Sequence, residues 1–107
     1  MNSPLTEAQC AAFHADGLVV VEAFYDPIEI ERIQRGLYTI IGLVIEEEGL
    51  SIDQPSFTSE SFDSGFQKLI AHDRTLGGRV YDAIKQIPAF VRLVASEKHE
   101  AVVRQVR

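Results

Sequence analysis

Residues 16–30, DGLVVVEAFYDPIEI, decide how this chain is read. Leu18, Val19, Val20 and Val21 are consecutive aliphatic residues, bounded by Gly17 on one side and by the Tyr25-Asp26-Pro27 corner on the other. A short apolar run between turn residues predicts a buried β-strand. Upstream, Gly17 is the residue type that closes a helix in the left-handed conformation, so a first helix is predicted to end at Asp16. Downstream, Asp26 suits an N-cap, Pro27 the first helical position and Glu29 the far side of a capping box, so a second helix opens there. The order is helix, strand, helix.

Working outward, Thr6 and Gln9 spell a T-x-x-Q capping box for the first helix, with Leu5 and Cys10 placed as a hydrophobic staple. In the second helix, Ile30, Ile33, Leu37, Ile40 and Val44 follow helical spacing and make one apolar stripe, and Glu31 and Arg35 form an i,i+4 pair outside it. Thr39–Ile45 has almost no polar face and must be covered on most sides. Glu46, Glu47 and Glu48 then fall at the negative end of the helix dipole, where acids are unfavourable, and are expected to be a solvated cluster. Residues 49–60, GLSIDQPSFTSE, read as the longest loop. Helical patterns resume at Phe62, with Phe66, Leu69, Ile70, Leu76, Val80, Tyr81, Ile84 and Ile87 as apolar positions and Gly77-Gly78 as the expected break between two segments. Pro88 ends one helix and opens the next, and Ser96 caps a last helix carrying Val102, Val103 and Val106. The expected fold class is mainly α with one short strand, an α+β arrangement of five or six helices.

Length and composition limit the function. The chain has 107 residues, 46% of them hydrophobic and 24% charged, which describes one globular domain rather than a disordered or low-complexity segment. Ten Lys and Arg against sixteen Asp and Glu give a net charge of −6. Residues 1–60 hold eleven acids and two bases, whereas residues 61–107 hold five acids and eight bases. The bases of the second half (Arg74, Arg79, Lys85, Arg92, Lys98, Arg104 and Arg107 among them) are spread through apolar periodicity, not clustered, so no nucleic-acid partner is expected. The single cysteine, Cys10, excludes an intrachain disulfide and a Cys-rich zinc site, and reads as a small apolar residue of the first helix. MNSPLTEAQ lacks the basic start and apolar stretch of a signal peptide, and the longest apolar run, Ile40–Ile45, is far short of the roughly 20 residues that span a bilayer. No membrane partner and a cytoplasmic location are expected.

A near-continuous apolar strand with no second strand to pair with implies a sheet elsewhere, because isolated strands leave both edges unsatisfied. The last helix stops without a Gly, Asn or Pro signal. Residues 1–107 are therefore expected to be a single incomplete domain: helix–strand–helix over 5–48, a loop over 49–60, and a helical region over 61–107. Two blocks carry a resemblance. LTEAQCAAFHADGLVVVEAFYDPIEIERIQRGL (residues 5–37) resembles the amino-terminal segment of the phytanoyl-CoA dioxygenase family, with its helix, Asp-Gly, run of valines and Asp-Pro-started helix. FDSGFQKLIAHDRTLGGRVYDAIKQIPAFVRLVAS (residues 62–96) is similar to a helical region of bacterial members, above all in RTLGGRVYDAIKQIPAF. The resemblance implies the helical portion of a jelly-roll, or double-stranded β-helix, oxygenase whose β core lies outside this sequence. It also implies that the whole protein uses Fe(II) and 2-oxoglutarate to hydroxylate a small organic or acyl substrate, giving succinate and carbon dioxide. In the family the iron is held by a His-x-Asp pair and a distant His, and an Arg receives 2-oxoglutarate; those residues follow the helical region. No catalytic, cofactor-binding or metal residue is therefore assigned within this chain.

His14-Ala15-Asp16 spells His-x-Asp, with His72 and Arg79, or His99 and Arg107, as nominal completions. It lies at the end of a capped helix, where residues two apart point to different faces, so it is expected to be a surface pair. His72-Asp73 and His99-Glu100 are adjacent rather than three or four apart, as a helical metal site requires. Gly77-Gly78 lacks the Lys of a phosphate loop. Phe57, Phe62, Phe66, Tyr81 and Phe90 are expected in the core, and Ser64 and Thr75 lack an orienting third group for nucleophilic work. The partner expected is the missing C-terminal β core. The alternative is a stand-alone helical module that homodimerises, sealing Thr39–Ile45 and the strand edge with a second copy of the chain.

Overall fold

The computed structural model describes residues 3–107, which form six helices: α1 (Glu7–Asp16), α2 (Pro27–Glu47), α3 (Ser64–His72), α4 (Arg74–Ile84), α5 (Pro88–Val94) and α6 (Glu97–Val106). Cap chemistry sets most of the boundaries. Thr6 accepts from the Gln9 N–H at 3.1 Å while Gln9 Oε1 accepts from the Thr6 N–H at 2.8 Å, the reciprocal box expected from the sequence. Gly17, at φ 78°, donates its N–H to Phe13 O and stops α1. Asp26 caps α2 through the Ile28 N–H at 2.9 Å, and Pro27 occupies the first turn. The cap is an Asp26–Ile28 contact, without the Glu29 box expected there.

The main core lies between α2, α3 and α4. Ile41, Val44 and Ile45 of α2 meet Leu69 of α3 and Leu76 and Val80 of α4, and Leu37, Ile40, Leu50, Ile52 and Phe66 pack around them. The apolar half of α2 is thus covered by its own chain, apart from Leu43 at 51% exposure. The cover expected over Thr39–Ile45 is thus supplied from within the chain. Part of the cover is the 49–60 loop: Tyr38 Oη donates to Pro55 O at 2.7 Å, Gln54 Nε2 donates to Tyr38 O at 3.0 Å, and Phe57 stands edge-on to Tyr38 with the Arg35 guanidinium 4.1 Å from its ring centre.

Three expectations are corrected. Leu18–Val21 is not a strand, and no β-ladder occurs among the described residues, because no second extended segment lies alongside to supply ladder hydrogen bonds. The fold class is mainly α without the β component. Gly77-Gly78 does not break the chain; the break between α3 and α4 is at Asp73, whose extended backbone (φ −162°) starts α4. Asp73 Oδ1 accepts from the Thr75 N–H at 3.0 Å and from Thr75 Oγ1 at 2.8 Å. Gly77 instead lets α3 approach α4, since a Cβ there would lie 2.8 Å from Ile70 Cγ1. Glu46, Glu47 and Glu48 are exposed as expected, and Arg79 of α4 reaches the last two, at 2.6 Å from Glu47 Oε2. Tyr81 is not core but 64% exposed, with Lys85 Nζ 5.3 Å from its ring centre.

Beside the α2–α5 body, α1 packs on α6. The result is elongated, 53 × 25 × 22 Å, with a radius of gyration of 17.8 Å against about 13 Å for a compact domain of this length.

Candidate functional site

The most distinctive surface lies where α1, the 17–25 segment and α6 meet. The two ends of the described chain are tied together here. Gln105 Oε1 accepts from the Leu5 N–H at 3.0 Å, and Gln105 Nε2 donates to Leu5 O at 2.6 Å, so one side-chain amide satisfies both backbone groups of a residue only 3% exposed. Between these elements runs an open groove of about 550 Å³, lined chiefly by Phe13, Val19, Val21, Phe24, Val102 and Val106. That volume is in the range of ligand pockets (about 300–1,000 Å³), though this groove is open along its length.

Its polar end is a three-residue chain. Tyr25 Oη and His99 Nε2 are hydrogen-bonded at 2.8 Å, and Ser96 Oγ and His99 Nδ1 at 3.3 Å. A neutral imidazole has one donor and one acceptor nitrogen, so both bonds are satisfied in one tautomer. Ser96 stands at the N-cap position of α6 but makes no side-chain cap; its hydroxyl serves His99 instead of the backbone bond expected from the sequence. Lys98 Nζ donates to Phe24 O and lies 4.9 Å from the centre of the Phe24 ring. Together these contacts fasten the 24–25 corner to α6.

Leu18–Val21 runs along this groove outside any helix. Leu18, Val19 and Val21 line it; Val19 and Val21 are half-buried, whereas Leu18 and Val20 are 65% and 77% exposed. Exposure alternates along the run, but no strand forms. The N–H and C=O groups of Leu18, Val19 and Val20 have no hydrogen-bond partner among the described residues. Ala23, at φ 53°, lies in the turn that takes the chain from this run toward α2.

The residues weighed for chemistry are not assembled into a site. His14 is exposed at the end of α1, edge-on to Phe13, and Arg79 is taken by Glu47 and Glu48. Thr75 Oγ1 is used in the Asp73 cap. Ser64 Oγ is buried without a partner. Cys10 is a half-buried free thiol on α1. Among the described residues no three His, Cys, Asp or Glu side chains gather as a metal site, and no helix is long and apolar enough to cross a membrane. Phe57 and Phe62, with ring centres 6.4 Å apart, fasten the 49–60 loop.

Tyr25 and His99 were missed as partners from sequence. The signal was present for His99: positions 99, 102, 103 and 106 have helical spacing, which places the imidazole on the apolar stripe of α6. No family model, curated protein or solved structure matches the chain.

Proposed function

We propose that this chain is the helical flank of an Fe(II)- and 2-oxoglutarate-dependent oxygenase of the phytanoyl-CoA dioxygenase type, an architectural element that covers a jelly-roll core and is inactive alone. The whole protein would hydroxylate a small organic or acyl substrate in the cytoplasm. The observation that carries the proposal is the 17–25 segment. The Asp-Gly-valine run that bears the family resemblance lies along an apolar groove, outside any helix, with Val19 and Val21 half-buried between exposed neighbours and with unpaired backbone groups at Leu18, Val19 and Val20. Such a segment suits the edge of a sheet supplied by another part of a protein.

The donor groups of this chain do not fit the iron centre of that family. His14 and Asp16 are two apart on α1, and no third ligand joins them among the described residues. No catalytic step is assigned to this chain; its role is to shape and cover. The coding frame after Arg107 tests the proposal. A continuation carrying His-x-Asp and a later His and Arg is the expected result, and a stop codon directly after Arg107 overturns it. Succinate formation by the purified 107-residue chain, above a metal-free control, would contradict the claim that it is inactive alone.

A further inference from the structure

We infer that the cleft between α2 and α5 binds a small zwitterionic phosphomonoester, its phosphoryl group held by Arg32 and Arg92 and its ammonium by Glu29. The inference concerns the chain by itself and does not rest on the oxygenase proposal. The cleft has a volume of about 190 Å³ and is lined by Glu29 and Arg32 of α2 and by Ala89, Arg92 and Leu93 of α5. Glu29 and Arg32 are three apart, and Ala89, Arg92 and Leu93 are three and four apart, so each helix turns one face to the seam. Ala89 and Leu93, both half-buried, supply the apolar part of the lining.

The seam itself is fixed by packing. Gly36, one turn beyond Arg32, lets Ile87 lie against α2, since a Cβ there would stand 2.8 Å from Ile87 Cγ2. Ile87 is 6% exposed and leads directly into Pro88 at the start of α5. Both arginines are thus carried to the cleft on packed helices, and a ligand has only side chains to order. Neither guanidinium has an ion-pair partner among the described residues, whereas Arg35, Arg79, Lys85 and Arg104 each have one. A net charge of −6 leaves acids in excess. Yet the one acid lining the cleft, Glu29, pairs with neither arginine. Two cations in one cleft repel each other, and an anion shared between them relieves that repulsion.

Charge and size choose the ligand. A guanidinium presents five N–H donors in a planar fork that takes carboxylate or phosphate oxygens two at a time. A carboxylate has two oxygens, enough for one fork, whereas a phosphomonoester has three terminal oxygens and can serve both. Its second pKa is about 6, so near neutral pH it carries close to two negative charges. The lining groups sum to two positive charges and one negative. Their complement is two negative charges and one positive, a phosphomonoester with an ammonium nearby, as in phosphoethanolamine. An α-amino acid would leave one arginine uncompensated, and inorganic phosphate would face Glu29 with no cation between. The volume lies below the roughly 300–1,000 Å³ of pockets for drug-sized ligands, too small for a nucleotide.

Titration of phosphoethanolamine into the purified chain, followed by calorimetry and by the arginine Nε–H signals in NMR, gives the test. One site is expected, with a Kd of about 1 mM or tighter at low ionic strength. Inorganic phosphate, which lacks the ammonium, and glycerophosphoethanolamine, a diester with one negative charge like a lipid headgroup, should each bind about tenfold more weakly. Arg32→Gln and Arg92→Gln should each weaken phosphoethanolamine by about tenfold or more. Arg74→Gln removes the same charge from the exposed start of α4 and should leave binding unchanged. Glu29→Gln should cancel the preference for phosphoethanolamine over inorganic phosphate, a readout that a purely structural role would not move. All four positions are exposed, and circular dichroism confirms that the variants keep their helices. No binding of phosphoethanolamine, an equal loss from Arg74→Gln, a preference unchanged in Glu29→Gln, or a diester bound as tightly as the monoester would each overturn the inference. The coding-frame test of the oxygenase proposal is unaffected by any of them.

Discussion

An alanine Cβ at position 77 would lie 2.8 Å from Ile70 Cγ1, whereas one at position 78 would meet nothing within 4 Å. Both glycines lie inside α4, where alanine is favoured over glycine by about 1 kcal/mol on propensity alone. At position 78 nothing opposes that gain, so Gly78→Ala is expected to stabilise the protein by about 0.5–1 kcal/mol, read as a rise of several degrees in melting temperature. At position 77 the gain is outweighed by overpacking of about 1–3 kcal/mol, because Ile70 must move within the α3–α4 contact. Gly77→Ala is therefore expected to melt lower than the parent, and two shifts of the same sign would contradict this account. Asp73 gives a pH-dependent case. The Thr75 N–H and hydroxyl donate to its carboxylate and hold its pKa below the ordinary value. A carboxylate with a depressed folded-state pKa stabilises the fold above its unfolded pKa, near about 3.9, and that contribution fades as pH falls through the lower folded value. Asp73→Asn keeps a good cap but cannot titrate. The parent's advantage over Asp73→Asn in urea midpoint should be present at neutral pH and shrink on acidification; an advantage that grows in acid would reverse the sign.

Between elements, Arg79 links α4 to the C-terminal end of α2 through Glu47 and Glu48, and it is what makes a run of three acids tolerable at that helix end. All three side chains are 40–62% exposed, so the pairs are worth at most about 1 kcal/mol. Arg79→Gln should lower stability by that much or less at low ionic strength, and the difference should vanish in concentrated salt. A loss that persists in salt would point to packing of the Arg79 stem instead. The exposure of the acidic run is legible in the sequence, but its cation is not. Residues thirty or more apart meet only after α3 folds back, and no local pattern in 46–48 announces a cation from α4. Cap signals are different, because Thr6–Gln9, Gly17 and Asp26–Pro27 act within one turn of the chain and could be read directly. So could the α2 stripe, whose Leu37, Ile40 and Val44 sit at the core. The valine run reads as a strand and forms none, since a strand is a property of two segments and the described residues supply one. Of the groove, the Val102 and Val106 wall was legible from helical spacing. The Tyr25–His99 bond joins residues 74 apart and was not.

Across the whole molecule the helices divide unequally: α2, α3 and α4 enclose the main core and α5 packs on α2, while α1 is held chiefly through α6 and the Leu5–Gln105 clasp. None of the residues of α1 or α6 is buried, so apolar contact alone gives this pair little stability, and the clasp matters more than a surface hydrogen bond would. Gln105→Ala removes a donor and an acceptor together and strands the N–H and C=O of Leu5. Leaving buried backbone groups unpaired costs about 1–3 kcal/mol. Because the lost contacts are local to one end of an elongated molecule, the cost should fall on opening of α1 rather than on global unfolding. The expected result is that amide hydrogen exchange in α1 speeds up by about tenfold or more, at 1.4 kcal/mol per tenfold, while amides of α2 and α4 around Ile41 and Val80 keep their protection. Gln105→Glu, which retains an acceptor for the Leu5 N–H but no donor for its carbonyl, should fall between the two. Uniform acceleration through α2 and α4 would instead mean that the chain ends and the main core unfold as one cooperative unit.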